Sequence, residues 1–340
     1  RQTANRRLSE SRFSLPARFA FSQHRSVQKV DLILDGAELR HGVSGVNVYL
    51  RLLTEALQRS PQNLTWRVTV PRPFLSKASF IPQENRLIVE GTDVRGYTGS
   101  SLVWNQRTAS LVRRQFPEAV FHSVFHFWAP RLPARTLVTV HDRIEEDEPL
   151  VRPRSRSIRL YHWLARRTVR QARSVIAVSE WTRSRILVHD RLPAARISVL
   201  HNWVRPDCLV PPSSGQIARM KAKYLLPDRY IAYVGGYRAH KNVGLLIDAW
   251  SRARALRPMP ALALAGDLPA DTQHGYLCDV RGAIARANAD TLLTPGLISD
   301  EDLPAFYAGA DLFVSPSRNE GFGYPVVEAL AGLLSAYAIW

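Results

Sequence analysis

Two stretches of this 340-residue chain bring together residue types suited to phosphate and to sugar hydroxyls. The first is Tyr233-Val234-Gly235-Gly236-Tyr237-Arg238-Ala239-His240-Lys241-Asn242, an apolar run that passes through two glycines into a basic cluster. Glycines let backbone N–H groups approach a ligand closely, and the start of a following helix carries partial positive charge. Gly235, Gly236, Arg238 and Lys241 therefore suit a diphosphate, although a tight turn with solvated basic residues has the same appearance. The segment has neither GxxxxGK[ST] nor GxGxxG, which removes support for ATP or nicotinamide chemistry. The second stretch runs from Ser315 to Leu330 and holds Glu320, Gly321, Phe322, Gly323, Pro325 and Glu328. Pro325 opens a helix where its missing N–H does no harm. Seven residues separate Glu320 from Glu328, with the glycines and the helix start between them. A diphosphate on those N–H groups leaves one carboxylate for the hydroxyls of a sugar and the other for those of a ribose. A third stretch, Pro295 to Leu303, is explained structurally, with Ser299 as a helix cap and Asp302 in the first turn.

The elements that must position these residues follow from periodicity. Short apolar runs at residues 30–36, Trp66–Val70, Leu87–Glu90, Thr136–Val140 and Val175–Val178 have the look of buried parallel strands. Helical spacing appears over Val46–Leu57, Leu102–Phe116 and Ser157–Ala172. After a Pro- and Ser-containing stretch the alternation resumes. Strands are expected at Tyr230–Val234, Ala261–Ala265, Thr291–Leu293 and Leu312–Ser315. Helices are expected at Val243–Ala255, His274–Ala287, Asp300–Ala308 and from Tyr324. The pattern predicts an α/β fold of two doubly wound parallel-sheet domains facing a cleft. The expected division is a basic arm over 1–28, a first domain over 29–204, a linker over 205–228 and a second domain over 229–340. Ligands of such sheets bind at the carboxyl ends of the strands.

The second domain resembles family 4 of the retaining glycosyltransferases, which have the GT-B fold of two Rossmann-like domains. YVGGYRAHKN (233–242), PGLISDEDLPAFYAGADLFVSPS (295–317) and EGFGYPVVEALAG (320–332) carry the likeness. SGVNVYLRLLTEAL (44–57), VTVHDRIEEDEP (138–149), VIAVSEWTRSRI (175–186) and ISVLHNWV (197–204) add weaker matches in the first domain. The GGxxxxKN form is similar to the mannosyltransferase-type branch of bacterial polysaccharide enzymes. The resemblance implies a nucleotide-diphosphate sugar donor, a saccharide or lipid-linked acceptor and transfer with retention. Because Lys, Arg and a helix start can carry the leaving charge and no DxD pair suits a metal, no metal or other cofactor is expected. The resemblance also implies that Lys241 pairs with the diphosphate, Glu320 with sugar hydroxyls and Glu328 with the ribose, while N–H groups near Phe322 and Gly323 meet phosphates and sugar. Gly45 would face the phosphates from across the cleft, and His141 would touch the transferred sugar. Two departures stand out. Gly236 lies where many members have Arg, and His240 lies where the GGxxxRKN form has Arg. The ending LLSAYAIW is unlike the family, which points to truncation and to a second, inactive-relative reading.

Charge adds a partner expectation. The net charge is +17, and residues 1–200 carry all of the excess, with 33 basic and 16 acidic side chains. Such a lopsided field suggests an anionic partner for the first domain. The Arg-rich run of Arg152, Arg154, Arg156, Arg159, Arg166, Arg167, Arg170 and Arg173, interleaved with Tyr161, Trp163 and Leu164, suits an anionic membrane surface. A nucleic-acid-binding protein is the weaker alternative, because no helix-turn-helix, zinc or RNP-type signature accompanies the charge. The two cysteines, Cys208 and Cys278, form no disulfide framework and fit a reducing compartment. No apolar stretch approaches the roughly 20 residues that span a bilayer. A cytoplasmic protein, peripheral on the inner membrane face, is expected.

Overall fold

The aliphatic runs of the sequence pair side by side in two parallel sheets. The protein, represented by a computed structural model, is described over residues 31–40, 44–60, 64–90, 97–125, 127–148, 155–268, 280–287, 289–332 and 336–338. The expected arm, Arg152, Arg154 and the first part of the helix expected from His274 lie outside these residues.

The first sheet comprises β1 (Asp31–Leu34), β2 (Thr65–Pro71), β3 (Arg86–Val89), β4 (Val120–Ser123), β5 (Thr136–Val140), β6 (Ser174–Ala177) and β7 (Ile197–Val199). Their spatial order is β3-β2-β1-β4-β5-β6-β7, so the winding reverses between β1 and β4. The helices of this half are α1 (Gly45–Arg59), α2 (Tyr97–Gln115), α3 (Ile144–Asp147), α4 (Arg156–Gln171) and α5 (Glu180–Asp190). Ser44 starts α1 by accepting a hydrogen bond from the Asn47 N–H at 3.2 Å. The helix then lays Val46, Tyr49 and Leu50 against Leu34, Val68 and Val70 of the sheet.

The second sheet comprises β8 (Tyr230–Val234), β9 (Ala261–Ala265), β10 (Leu292–Gly296), β11 (Leu312–Ser315) and β12 (Ala336–Ala338), in the order β10-β9-β8-β11-β12. Its helices are α6 (Ser214–Lys223), α7 (Val243–Leu256), α8 (Val280–Ala287), α9 (Leu303–Ala308) and α10 (Tyr324–Ala331). Side chains alternate across β8: Tyr230 and Ala232 join one core with Phe306, Tyr307 and Ala329, while Ile231 and Tyr233 join another with Val243, Ile247 and Trp250. Both faces are covered, which is why the strands are continuously apolar.

The stretch expected as a linker over 205–228 contains helix α6, which buries Met220 in the second core with Ile217 packed against it. The chain crosses between the halves just before, over residues 200–205. β4, β7 and α5 had no clear signal, and β12 arises from the ending that looked unlike the family.

Candidate functional site

In both sheets the winding reverses beside the first strand, and the loops leaving those strands face one another. The loop after β8 carries the glycines. Gly235 donates its N–H to the Ala265 carbonyl at 3.0 Å, and a Cβ on Gly266 would lie 2.1 Å from the Gly235 carbonyl oxygen. The ends of β8 and β9 are thus pinched together by two residues that must lack side chains. Tyr233 steadies the next turn by donating its hydroxyl to the Gly236 carbonyl at 2.6 Å. A Cβ on Gly236 would meet nothing within 4 Å, so the space expected to hold an Arg side chain is open.

Lys241 closes this loop. Its ammonium lies 2.5 Å from Oε1 of Glu320 in the loop after β11, with both side chains mostly buried. The two loops are also joined by the backbone, where the Arg318 N–H donates to the His240 carbonyl at 2.8 Å. Two of the expected site residues, 79 positions apart, therefore form one ion pair at the reversal point of the sheet. An ammonium has three donors, so this contact leaves Lys241 able to bind a phosphate as well.

Glu328 lies one turn into α10 and is 2% exposed. Its Oε1 accepts from Nε of Arg205 at 2.7 Å, and its Oε2 accepts from the Tyr307 hydroxyl at 2.9 Å. The Arg205 guanidinium also donates to Asp300 at 2.6 Å, and Asp300 pairs with Arg51 of α1 at 3.3 Å. Burial works against the charge on Arg205, but Glu328 and Asp300 more than offset it and raise its pKa further. A carboxylate accepts about four hydrogen bonds, so Glu328 keeps capacity for ribose hydroxyls. The Phe322 and Tyr324 rings meet edge to face at 5.3 Å around Gly323, whose φ of +79° turns the chain into α10.

The first domain brings its own residues to the same place. His141, at the end of β5, donates from Nε2 to the Val124 carbonyl at 2.9 Å, because a carbonyl can only accept. Burial lowers its pKa, leaving a neutral ring with Nδ1 as an acceptor. Tyr49 packs edge-on against it at 5.0 Å. The His141 backbone touches the second domain so closely that a Cβ on Gly321 would stand 1.8 Å from its carbonyl oxygen. Thr182 lies between the two, 3.1 Å from the His141 carbonyl and 3.4 Å from that of Gly321. Glu148 holds Asn319 at 2.9 Å. Gly45 starts α1 with its Cβ position 3.4 Å from the Tyr324 ring. Arg238 is exposed and stands near enough to Glu38 to act on its charge.

The structure thus joins Lys241 to Glu320, His141 to the loop before α10 and Gly45 to Tyr324. Arg238 lies close enough to act on both Glu38 of the first domain and His240 of the site. Sequence reasoning missed Arg205, Tyr307 and Asp300, and treated Gly321 only as a loop glycine. Gly321 was visible within the Glu-Gly-Phe-Gly run. Arg205 offered no local signal.

Residues 43–207 match Glycosyltransferase Family 4, and residues 217–333 match Glycosyl transferases group 1. The chain belongs to glycosyltransferase family 4. Among similar proteins is the O-antigen chain mannosyltransferase B of Escherichia coli, 28% identical over 226 residues. That match covers 64% of this chain and 56% of the relative, so the family 4 chain spans little more than half of its length. WaaG, a glycosyltransferase involved in lipopolysaccharide biosynthesis, superposes with a TM-score of 0.67 at 13% identity, covering 91% of this chain and 80% of WaaG. HepE of Anabaena, solved with UDP and glucose, superposes with a TM-score of 0.64 at 17% identity over 91% and 80% of the two chains. At such identities the likeness speaks for the fold, which is GT-B. No helix among the described residues is long and apolar enough to cross a membrane.

Proposed function

We propose that this chain transfers a hexose, mannose, from a nucleoside-diphosphate sugar to a saccharide or lipid-linked acceptor in cell-surface polysaccharide synthesis, with retention at the anomeric carbon. The observation that carries the reading is the Lys241–Glu320 pair at the reversal point of the second sheet, one loop from buried Glu328. The mannosyltransferase relative supports the choice of sugar. In the reaction the bond from the anomeric carbon to the diphosphate oxygen breaks, and its electron pair goes to the phosphate. Lys241 and the N–H groups at the start of α10 meet that growing negative charge in a site from which domain contact excludes water. Glu320 accepts from sugar hydroxyls, Glu328 from ribose hydroxyls, and Nδ1 of neutral His141 from the transferred sugar. The acceptor hydroxyl forms the new bond on the same face and gives its proton to the departing phosphate. The nucleotide sugar is a co-substrate, and the proposed mechanism asks for no metal. The test is a thermal-shift panel of GDP-, UDP- and ADP-sugars, followed by transfer assays with and without chelator and assignment of the product anomer. An inverted product, or no stabilisation by any nucleotide sugar, would defeat the reading.

The same proposal places the first domain on an anionic membrane from the cytoplasmic side. Helix α4 turns Tyr161, Ala165, Thr168 and Val169 inward and leaves Arg156, Arg159, Arg167 and Arg170 exposed. Leu160 and Trp163 lie on that outer face, 57% and 49% exposed. Cations beside an exposed Trp and Leu match a charged headgroup layer over an apolar one. Co-sedimentation with phosphatidylglycerol vesicles but not phosphatidylcholine vesicles is expected, and its loss in Arg167→Glu/Arg170→Glu. Equal binding to both lipids, or to neither, refutes the placement.

A further inference from the structure

His240 is the buried polar side chain of this site that the reaction above leaves without a task. It lies in the single helical turn Ala239–Lys241 between β8 and α7 and is 4% exposed. Its Nδ1 is buried and has no hydrogen-bond partner. The backbone bond from Arg318 ties this turn to the loop after β11, so the ring is held where the two site-bearing loops meet. The charged groups that act on it are Lys241, Glu320 and Arg238 of its own domain and Asp142 of the first. The Tyr324 hydroxyl is also buried without a partner, but it lies against Gly45 rather than between the two site-bearing loops. An unpaired buried nitrogen is costly to keep, and its usual explanation is a partner that arrives with the ligand.

The identity of that partner follows from charge. Burial, with Lys241 alongside, pulls the imidazole pKa down to about 4, so the ring is neutral at physiological pH. Two carboxylates, Glu320 and Asp142, act on it as well. These two negative charges are offset by the cations Lys241 and Arg238, so the neutral ring offers a ligand a hydrogen bond rather than a charge, and a polyol finds three hydrogen-bonding groups in the ring, Glu320 and Asp142. We infer that His240 is a specificity-determining residue whose Nδ1 exchanges a hydrogen bond with one hydroxyl of the transferred sugar, beside Glu320. This deepens the donor reading above and rests on it.

The experiment titrates wild-type chain, His240→Leu and His240→Asn with GDP, GDP-mannose and the monodeoxy analogues of GDP-mannose, and in parallel with UDP, UDP-glucose and the corresponding monodeoxy set. Thermal unfolding checks that each variant is folded. Wild-type chain should bind one monodeoxy analogue about tenfold more weakly than its parent sugar nucleotide, the worth of one hydrogen bond. His240→Leu should bind parent and analogue alike, with affinity for the free nucleotide unchanged. His240→Asn, whose amide overlaps Nδ1, should restore part of the difference. A His240→Leu variant that still penalises the same analogue, or that loses free-nucleotide and sugar-nucleotide affinity equally, overturns the inference while sparing the donor reading. So does a wild-type chain that binds the nucleotides but discriminates against no analogue. A wild-type chain that binds none of these ligands refutes the donor reading and this inference together.

Discussion

Gly321→Ala tests whether the contact between the two halves belongs to the reaction. The added methyl would stand 1.8 Å from the His141 carbonyl oxygen, 2.9 Å from its carbon and 3.2 Å from Cβ of Asp142, where ordinary contact begins at 3.4 Å. Neither strand end nor loop can give that much by side-chain motion, because the two nearest opposing atoms are backbone. Gly321 does not have a positive φ, so alanine is not strained by its own conformation and the penalty falls on the approach of the halves. They must part by well over an ångström at the point where His141 meets the donor. A misplacement of about 1 Å near reacting groups costs on the order of 10²-fold in rate. Lys241, Glu320 and Glu328 share one domain, so nucleotide binding should change by less than about twofold. Steady-state transfer kinetics and nucleotide titration on one preparation separate the two effects. A Gly321→Ala enzyme with near-normal turnover would show that the closed contact is not on the reaction path. Equal losses of turnover and nucleotide affinity would show that the methyl disrupts the second domain itself.

Lys241→Ala removes the charge that meets the leaving diphosphate, and turnover should fall by roughly 10²–10³-fold. Turnover within a few-fold of wild type would refute the leaving-group argument. Arg205→Ala leaves buried Glu328 with Tyr307 alone, which should cost about 3 kcal/mol and lower the melting temperature. The pair Arg205→Met/Glu328→Leu should recover stability without recovering donor affinity, and recovery of both would rule out Glu328 as the ribose contact. Burial pushes Asp35 up to about 6; burial and Asp35 push Glu38 up to about 7. Raised carboxyls contribute stability that is complete at low pH and lost as pH rises through about 4 to 7. Asp35→Asn/Glu38→Gln should therefore melt progressively higher relative to wild type as pH rises across that window, and a constant difference would refute the assignment. Burial holds His122 down at about 4, which acts in the opposite sense, removing stability as pH falls below about 6.5. The variant pair should expose that acid loss as a steeper decline.

Much of the fold was legible because parallel strands covered on both faces must be apolar throughout, as in Ala261–Ala265. β4 was not legible because His122 and Ser123 are polar yet buried. Their hydrogen bonds to Thr139 and to the Phe125 carbonyl, at 2.8 and 2.7 Å, make that burial possible. α5 was obscured in the same way, since its last residue, Asp190, is buried against Arg143 at 2.9 Å. At the site, Glu320 and Glu328 were legible because the glycines, proline and carboxylates that bind one ligand sit within a single loop and helix start. Arg205 was not, because its partners Asp300 and Glu328 lie 95 and 123 positions away. Nothing next to an arginine in a stretch of prolines and serines announces such a contact.

With α6 anchored to the second sheet, the crossing over residues 200–205 becomes a short pivot rather than a loose tether. Arg205 stands at its end and grips Glu328 directly. When two bodies turn about such a fulcrum, points beside it travel least and points on the far rim sweep the widest arc. A gape of the two halves would then leave the base-and-ribose end of a bound donor nearly still. The sugar end would be uncovered first.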